Sequence, residues 1–219
     1  MQDVSLSPKA KRVVLVGMFA PYLGPSEGAE IWGCNFTYRH QKNLTRLYAL
    51  DGFDNVLLKL EPNFVEQADA LAIPVFLQKP HAGIKQSTGY PLYNVLKTFF
   101  GEKPKEDLIK HAYFTSTITY MLADAIRHGF NEICLHRILV MPHSNEYYCQ
   151  KPCIDFWCGI ALGRGIKLLI SEDSNACRPA PWETGLYGYY HPDHEDANGC
   201  VVSGVQAAMM MIPEYKAVA

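Results

Sequence analysis

Residues 113–171 read YFTSTITYMLADAIRHGFNEICLHRILVMPHSNEYYCQKPCIDFWCGIALGRGIKLLIS, and the fold follows from that stretch. Its apolar residues fall at Ile118, Met121, Leu122, Ala125 and Ile126, the spacing of a helix with one buried face. Arg127, His128 and then Gly129 mark its end, where cations meet the negative pole and glycine accepts a left-handed turn. Glu132-Ile133-Cys134-Leu135 is short and apolar enough for a buried strand. The helical spacing returns at Ile154, Trp157, Cys158, Ala161 and Leu162, stops at Gly163-Arg164-Gly165, and gives way to a strand over Ile166–Ile170. Successive β-α-β steps require a parallel sheet crossed by helices. The expected class is α/β, with a mainly parallel sheet, helices on both faces and an irregular C-terminal tail. Residues 1–175 would form the domain, and 176–219 an extension packed on it or on a partner.

Upstream, Val13-Val14-Leu15-Val16-Gly17 is the continuous apolar run of a strand buried on both faces. The loop from Met18 to Ala29 is crowded with glycine and proline, so it reads as a shaped turn. It carries neither a GxGxxG fingerprint nor a Walker lysine. Glu30–Asn35 is expected as a second strand, with Asn35 at the carboxyl edge, where parallel sheets bind ligands, although on the residues alone an ordinary turn asparagine is the preferred reading. Tyr38–Leu50 is read as a helix, Phe53–Leu60 as a third strand, and Asn63 to Glu66 as a capping box before a helix through Leu71. Ile73–Leu77 is a fourth strand, Lys79–Gln86 a loop, Tyr90–Phe100 a weak helix and Gly101–Lys105 a charged connector.

A chain of 219 residues that is 48% hydrophobic and 19% charged has the material for a true core. A net charge of -2 supplies no general attraction to nucleic acid or to anionic lipid, so neither nucleic acid nor membrane is the expected partner. Met1–Arg12 lacks the apolar centre of a secretion signal. The seven cysteines are odd in number, and those in predicted strands behave as small hydrophobes, which points to a reduced, cytoplasmic protein.

Four constellations could carry chemistry. The carboxyl edge gathers the loop after Gly17, Asn35, the Lys79-Pro80-His81-Ala82-Gly83 loop and Thr115-Ser116-Thr117; the last opens a helix whose hydroxyls and free N–H groups suit a phosphate, although serine and threonine also cap helices without any ligand. Further on, His143 could serve as a general base near neutral pH, with Glu146 and Gln150 four residues apart on one helical face, although a surface histidine on a loop is the preferred reading of these residues alone. Cys149, Cys153 and Cys158, with His191, His194 and Cys200, could in principle approach a zinc set. The cysteines border an apolar face, however, so core packing is the preferred reading, and neither metal nor cofactor is expected. Finally, no Gly-x-Ser-x-Gly elbow points to a serine hydrolase.

The apolar first strand with its Gly/Pro-rich loop, Trp32-Gly33-Cys34-Asn35, and Thr115-Ser116 opening a helix resemble, in that order, the Rossmann-like bacterial sialyltransferases and motility accessory factors. The sequence is also similar to small tailed-phage proteins through Glu30-Ile31-Trp32-Gly33, Glu146 to Pro152, Gly163 to Lys167 and Leu186 to Tyr189. The resemblance implies a doubly wound Rossmann-like fold and a glycosyltransferase-like protein that binds a nucleotide or nucleotide-activated sugar. Gly17, Asn35, Thr115 and Ser116 would hold the nucleotide, and His143 would be the catalytic base. It further implies a phage-encoded protein in the host cytoplasm or the virion, with virion or homo-oligomeric protein partners. The relatives have a compact Gly-x-Gly-Pro-Ser loop where this chain reads Gly17-Met18-Phe19-Ala20-Pro21. They also have an acidic ending to the strand after which this chain reads Arg137-Ile138-Leu139. Those departures leave two further expectations: a virion structural protein on the same fold, or a nucleotide binder without turnover.

Overall fold

The computed structural model describes residues 12–18, 21–24, 27–140, 144–178, 190–195 and 201–203; at 145–147 and in the last two segments it describes the backbone alone. The chain divides into two compact units, 1–176 and 177–219. The first is an α/β Rossmann-like unit built on seven parallel strands: β1 Arg12–Val16, β2 Ala29–Cys34, β3 Arg46–Tyr48, β4 Val75–Leu77, β5 Ser87–Gly89, β6 Glu132–His136 and β7 Lys167–Ile170. Their order across the sheet is β5-β4-β3-β2-β1-β6-β7. The chain therefore steps outward from β1 to β5, returns to the other side of β1, and steps outward again. The reversal lies between β1 and β6, paired in register with Val14 opposite Cys134 and Leu15 opposite Leu135.

Register sorts the side chains. Val14, Val16, Ile31, Leu47, Ala49, Val75 and Leu77 form one face and pack with Leu57, Phe64, Ala68 and Ile84. The connections on this side are short: a 3-10 turn Thr37–Arg39, α1 Leu58–Leu60 and α2 Phe64–Ala70. The alternate residues, including Leu15, Trp32 and Tyr48, face the opposite way. There Tyr48 meets α5 Thr117–Arg127 through a bond from its hydroxyl to Asp124 at 2.6 Å. Packed beside α5 are α3 Leu92–Phe100 and α6 Asn145–Gly163. Steps taken in opposite directions from β1 put right-handed crossovers on opposite faces, which is why the sheet is covered on both sides. α4 Lys105–Lys110 links α3 to α5. Gly129 and Gly165, at φ 76° each, end α5 and α6 as the sequence pattern requires.

Two segments differ from the sequence reading. Tyr38–Leu50 is not a helix: Tyr38, Gln41 and Leu44 are buried at helical spacing, but Arg46 to Leu50 are buried without a break. A run enclosed on all sides is a central strand, and β3 is held to β2 by Thr45, whose N–H and hydroxyl both donate to Ile31 O. Phe53–Leu60 is not a strand. Val56 and Leu57 N–H groups both donate to Gly52 O, making a π-helical turn over Phe53–Leu57 that runs into α1. Asp54 and Asn55 are exposed there while Leu57 is fully buried, so each turn presents a single apolar anchor. Asn63 precedes α2 but makes no side-chain cap bond. β5 and α4 were not foreseen; both are short and weakly apolar.

In the second unit, β8 Tyr190–Glu195 pairs antiparallel with β9 Val201–Ser203. The Leu186–Tyr189 motif lies outside the described residues. No helix among those described is long and apolar enough to cross a membrane.

Candidate functional site

The carboxyl ends of β1, β2, β3 and β6 surround a cavity of about 300 Å³ at the point where the strand order reverses. Its wall contains Gly17, Asn35, Thr115, Ser116 and Gln150, drawn from four separate parts of the sequence, and also Asp51 and Arg137. Parallel sheets open a crevice here because the loops leaving adjacent strands turn to opposite faces.

Each residue has a local reason for its position. Gly17 follows β1 and donates its N–H to His136 O at 2.9 Å. A Cβ at Gly17 would stand 2.0 Å from Arg137 O, so close packing of β1 on the exit of β6 already demands glycine. Asn35 leaves β2 at φ 46°, a left-handed conformation that asparagine tolerates better than most residues. Its N–H donates to Tyr48 O at 2.7 Å and its side-chain amide to Asp51 Oδ2 at 2.6 Å. Arg137, also left-handed at φ 52°, donates its N–H to Ser171 Oγ at 2.9 Å, and its guanidinium pairs with Asp173. That bond, with one from Ser171, holds the Asp173 carboxyl below its ordinary range. Cys34, beneath the site, is a neutral thiol: burial pushes it up to about 11, and it donates to Val16 O.

The Thr115-Ser116-Thr117 segment divides its labour. Thr115 Oγ1 donates to Cys149 O of α6 at 2.9 Å, so this hydroxyl ties two helices together. Cys153 Sγ and Trp157 Nε1, also on α6, donate to Tyr113 O at 3.0 and 2.7 Å and fix the approach to α5. Ser116 is the N-cap of α5 with extended φ and ψ, yet its side chain makes no capping bond. Its Oγ is enclosed and has no partner, as is Asn35 Oδ1. Four enclosed side-chain polar atoms without a partner occur among the described residues; the other two, on Tyr38 and His40, do not border this cavity. Enclosed polar atoms are normally paired, and two of the unpaired ones belong to residues that line this cavity.

The remaining sequence candidates are placed as follows. Gln150 lines the cavity from the first turns of α6. Glu146 belongs to the same helix, its side chain outside the described residues, and His143 lies outside them altogether. Among the described residues no three His, Cys, Asp or Glu gather as metal ligands; Cys153 and Cys158 are fully buried in the packing of α6. Asp51 was missed because the strand leading to it was taken for a helix. Correct placement of β3 would have put an acid beside Asn35 at the sheet's carboxyl edge.

Chemically, the cavity is lined by Thr117 and Ile118, whose N–H groups at the start of α5 lack intrahelical acceptors, and by residues carrying an unpaired hydroxyl, an unpaired amide oxygen and one carboxylate, Asp51. Arg137 is neutralised by Asp173. Comparison with family models, with curated proteins and with solved structures finds no match for this chain.

Proposed function

We propose that this cavity binds a nucleotide-activated sugar and that the protein is glycosyltransferase-like. The observation that carries the reading is that two residues bearing an enclosed, unpartnered polar atom, Ser116 (Oγ) and Asn35 (Oδ1), both line one cavity at the sheet's reversal point. A phosphate at the start of α5 would accept from Ser116 and from the free N–H groups, with the helix dipole in its favour. Asn35 Oδ1 and Asp51 are acceptors and suit ribose or sugar hydroxyls. The apolar wall of Phe36, Val56 and Leu60 suits the flat face of a base.

Transfer would proceed by direct displacement. The acceptor hydroxyl gives its proton to His143 as its oxygen bonds the anomeric carbon, and the carbon–oxygen bond to phosphate breaks with its electron pair leaving on phosphate. The helix start would stabilise that charge. Isothermal titration with cytidine, uridine, guanosine and adenosine nucleotides tests the binding. Micromolar to millimolar affinity for at least one, weakened in Ser116→Ala, is the expected result; no heat from any nucleotide overturns the reading. A His143→Ala variant that binds but neither transfers nor hydrolyses the sugar is expected for an enzyme.

A further inference from the structure

A second cavity, of about 420 Å³, opens beside the first at the carboxyl ends of β3 and β4. Asp51 belongs to the walls of both. The new cavity is otherwise made by the π-helical turn after β3, with Phe53, Asp54 and Asn55, and by the loop after β4, with Gln78, Lys79 and His81.

This wall is held in place. The rings of Phe53 and His81 stack with centroids 4.6 Å apart and planes 18° from parallel. Ser87 clamps the backbone of His81 from both sides, accepting from its N–H at 2.9 Å and donating to its carbonyl at 3.0 Å. Gly83 N–H donates to His81 Nδ1 at 3.1 Å, and a Cβ there would lie 2.7 Å from Val65 and 3.2 Å from the imidazole, so either side chain would have to shift to admit one. With Nδ1 accepting that bond, the neutral ring carries its proton on Nε2. His81 so arranged presents its Nε2–H as a donor. Gln78 is fixed by a bond from its amide to Leu50 O at 2.8 Å.

The composition of the wall selects the ligand. Asp51 and Asp54 stand against the single ammonium of Lys79, which disfavours an anion and so a second phosphate. Although Asp51, Asp54 and His81 share the cavity, they do not converge as metal ligands. The mixture of donors and acceptors suits a neutral molecule rich in hydroxyls, for which carboxylates accept, histidine Nε2 and lysine donate, and the amides do both. We infer that the second cavity is the acceptor subsite for a neutral carbohydrate, placed next to the donor cavity across Asp51. The word acceptor rests on the reading of the first cavity, whereas carbohydrate binding here does not.

The test uses the whole protein and three neutral sugars, glucose, galactose and lactose, at millimolar concentrations, read by backbone amide chemical shifts. At least one sugar is expected to shift the resonances of 51–55 and 78–81 and to leave those of 116–118 unmoved. Affinity should fall about tenfold in His81→Ala, one hydrogen bond being lost, and fall also in Asn55→Ala, whose exposed side chain keeps the fold safe. Ser116→Ala should bind the sugar as the parent does. The subsite is overturned if no sugar moves the 51–55 and 78–81 resonances, or if both cavity variants bind unchanged. Sugar binding without nucleotide binding leaves the subsite standing and removes the reading of the first cavity.

Discussion

Helix α5 carries two polar groups with opposite fates. Asp124, on its inward face, is fully buried and every carboxylate oxygen has partners: Tyr48 donates to Oδ2 at 2.6 Å, Arg127 donates to Oδ1 at 3.1 Å, and His128 and Arg46 stand within 3.3 and 3.8 Å. Arg46 is held in turn by Glu30 at 3.2 Å and lies 4.7 Å over the Trp32 ring. Ser116, at the N-terminus of the same helix, has an enclosed hydroxyl with no partner. Along α5, then, the polar group that ties the helix to the sheet is fully bonded, and the one at its cavity end is not.

The largest effect should come from the satisfied side. Asp124→Asn removes the charge that balances Arg46 and Arg127 in a buried setting, and breaking such a pair costs about 3–5 kcal/mol. Urea denaturation measures it, and a loss below about 1 kcal/mol would show that the network contributes little. Acid provides a second measure. Burial pushes the Asp124 carboxyl up, but bonding and charge from His128, the Tyr48 hydroxyl and Arg127 outweigh it and leave the group below its ordinary range. A depressed folded-state value means stability that is present above the unfolded value of about 3.9 and lost as pH falls through the folded one. The parent should therefore lose stability as pH drops below about 4, and Asp124→Asn should show a shallower decline there.

These two ends of α5 were not equally legible. The helix, its glycine stop and the strands on either side follow from apolar spacing alone, because Ile118, Met121, Leu122, Ala125 and Ile126 bury a single face. Asn35 and Ser116 were recognisable as edge residues, since each sits where a strand or loop meets an expected helix start. The Arg46–Leu50 strand was not. In a central parallel strand flanked on both faces the period-two signal vanishes, and Tyr38, Gln41 and Leu44 just before it imitate a helix. Losing that strand hid Asp51, and with it the wall the two cavities share. Of the second cavity, the Lys79–Gly83 loop is legible as part of the sheet's carboxyl edge, but the opposite part of its lining is not, since the segment after Asp51 reads as extended while its backbone winds into a π-helical turn.

Gly17→Ala probes the seam between the satisfied and unsatisfied regions. The new methyl would meet Arg137 O at 2.0 Å, and backbone on both sides has to shift. Overpacking of this kind costs about 1–3 kcal/mol. Because Arg137 lines the cavity, nucleotide affinity should fall together with stability. Thermal unfolding and titration on the same variant check the pairing; a stable variant with intact binding would mean that the β1–β6 exit is looser than its geometry implies.

The smallest effect on stability is the most informative, and it comes from adjacent residues. Thr115→Val removes a hydroxyl that donates to Cys149 O, and a bond of this kind contributes about 1 kcal/mol. Ser116→Ala at an ordinary N-cap would cost a similar amount. Here the hydroxyl caps nothing and meets no partner, so its removal deletes an unsatisfied polar atom and should leave stability within about 0.5 kcal/mol of the parent. Nucleotide affinity should move the other way: unchanged to weakly reduced in Thr115→Val, and lower by about tenfold in Ser116→Ala, where the phosphate loses a direct donor. A serine whose loss harms binding and spares the fold is held in place for a ligand. If Ser116→Ala instead destabilises the protein as Thr115→Val does, the hydroxyl is a structural cap after all, and the contrast along α5 disappears.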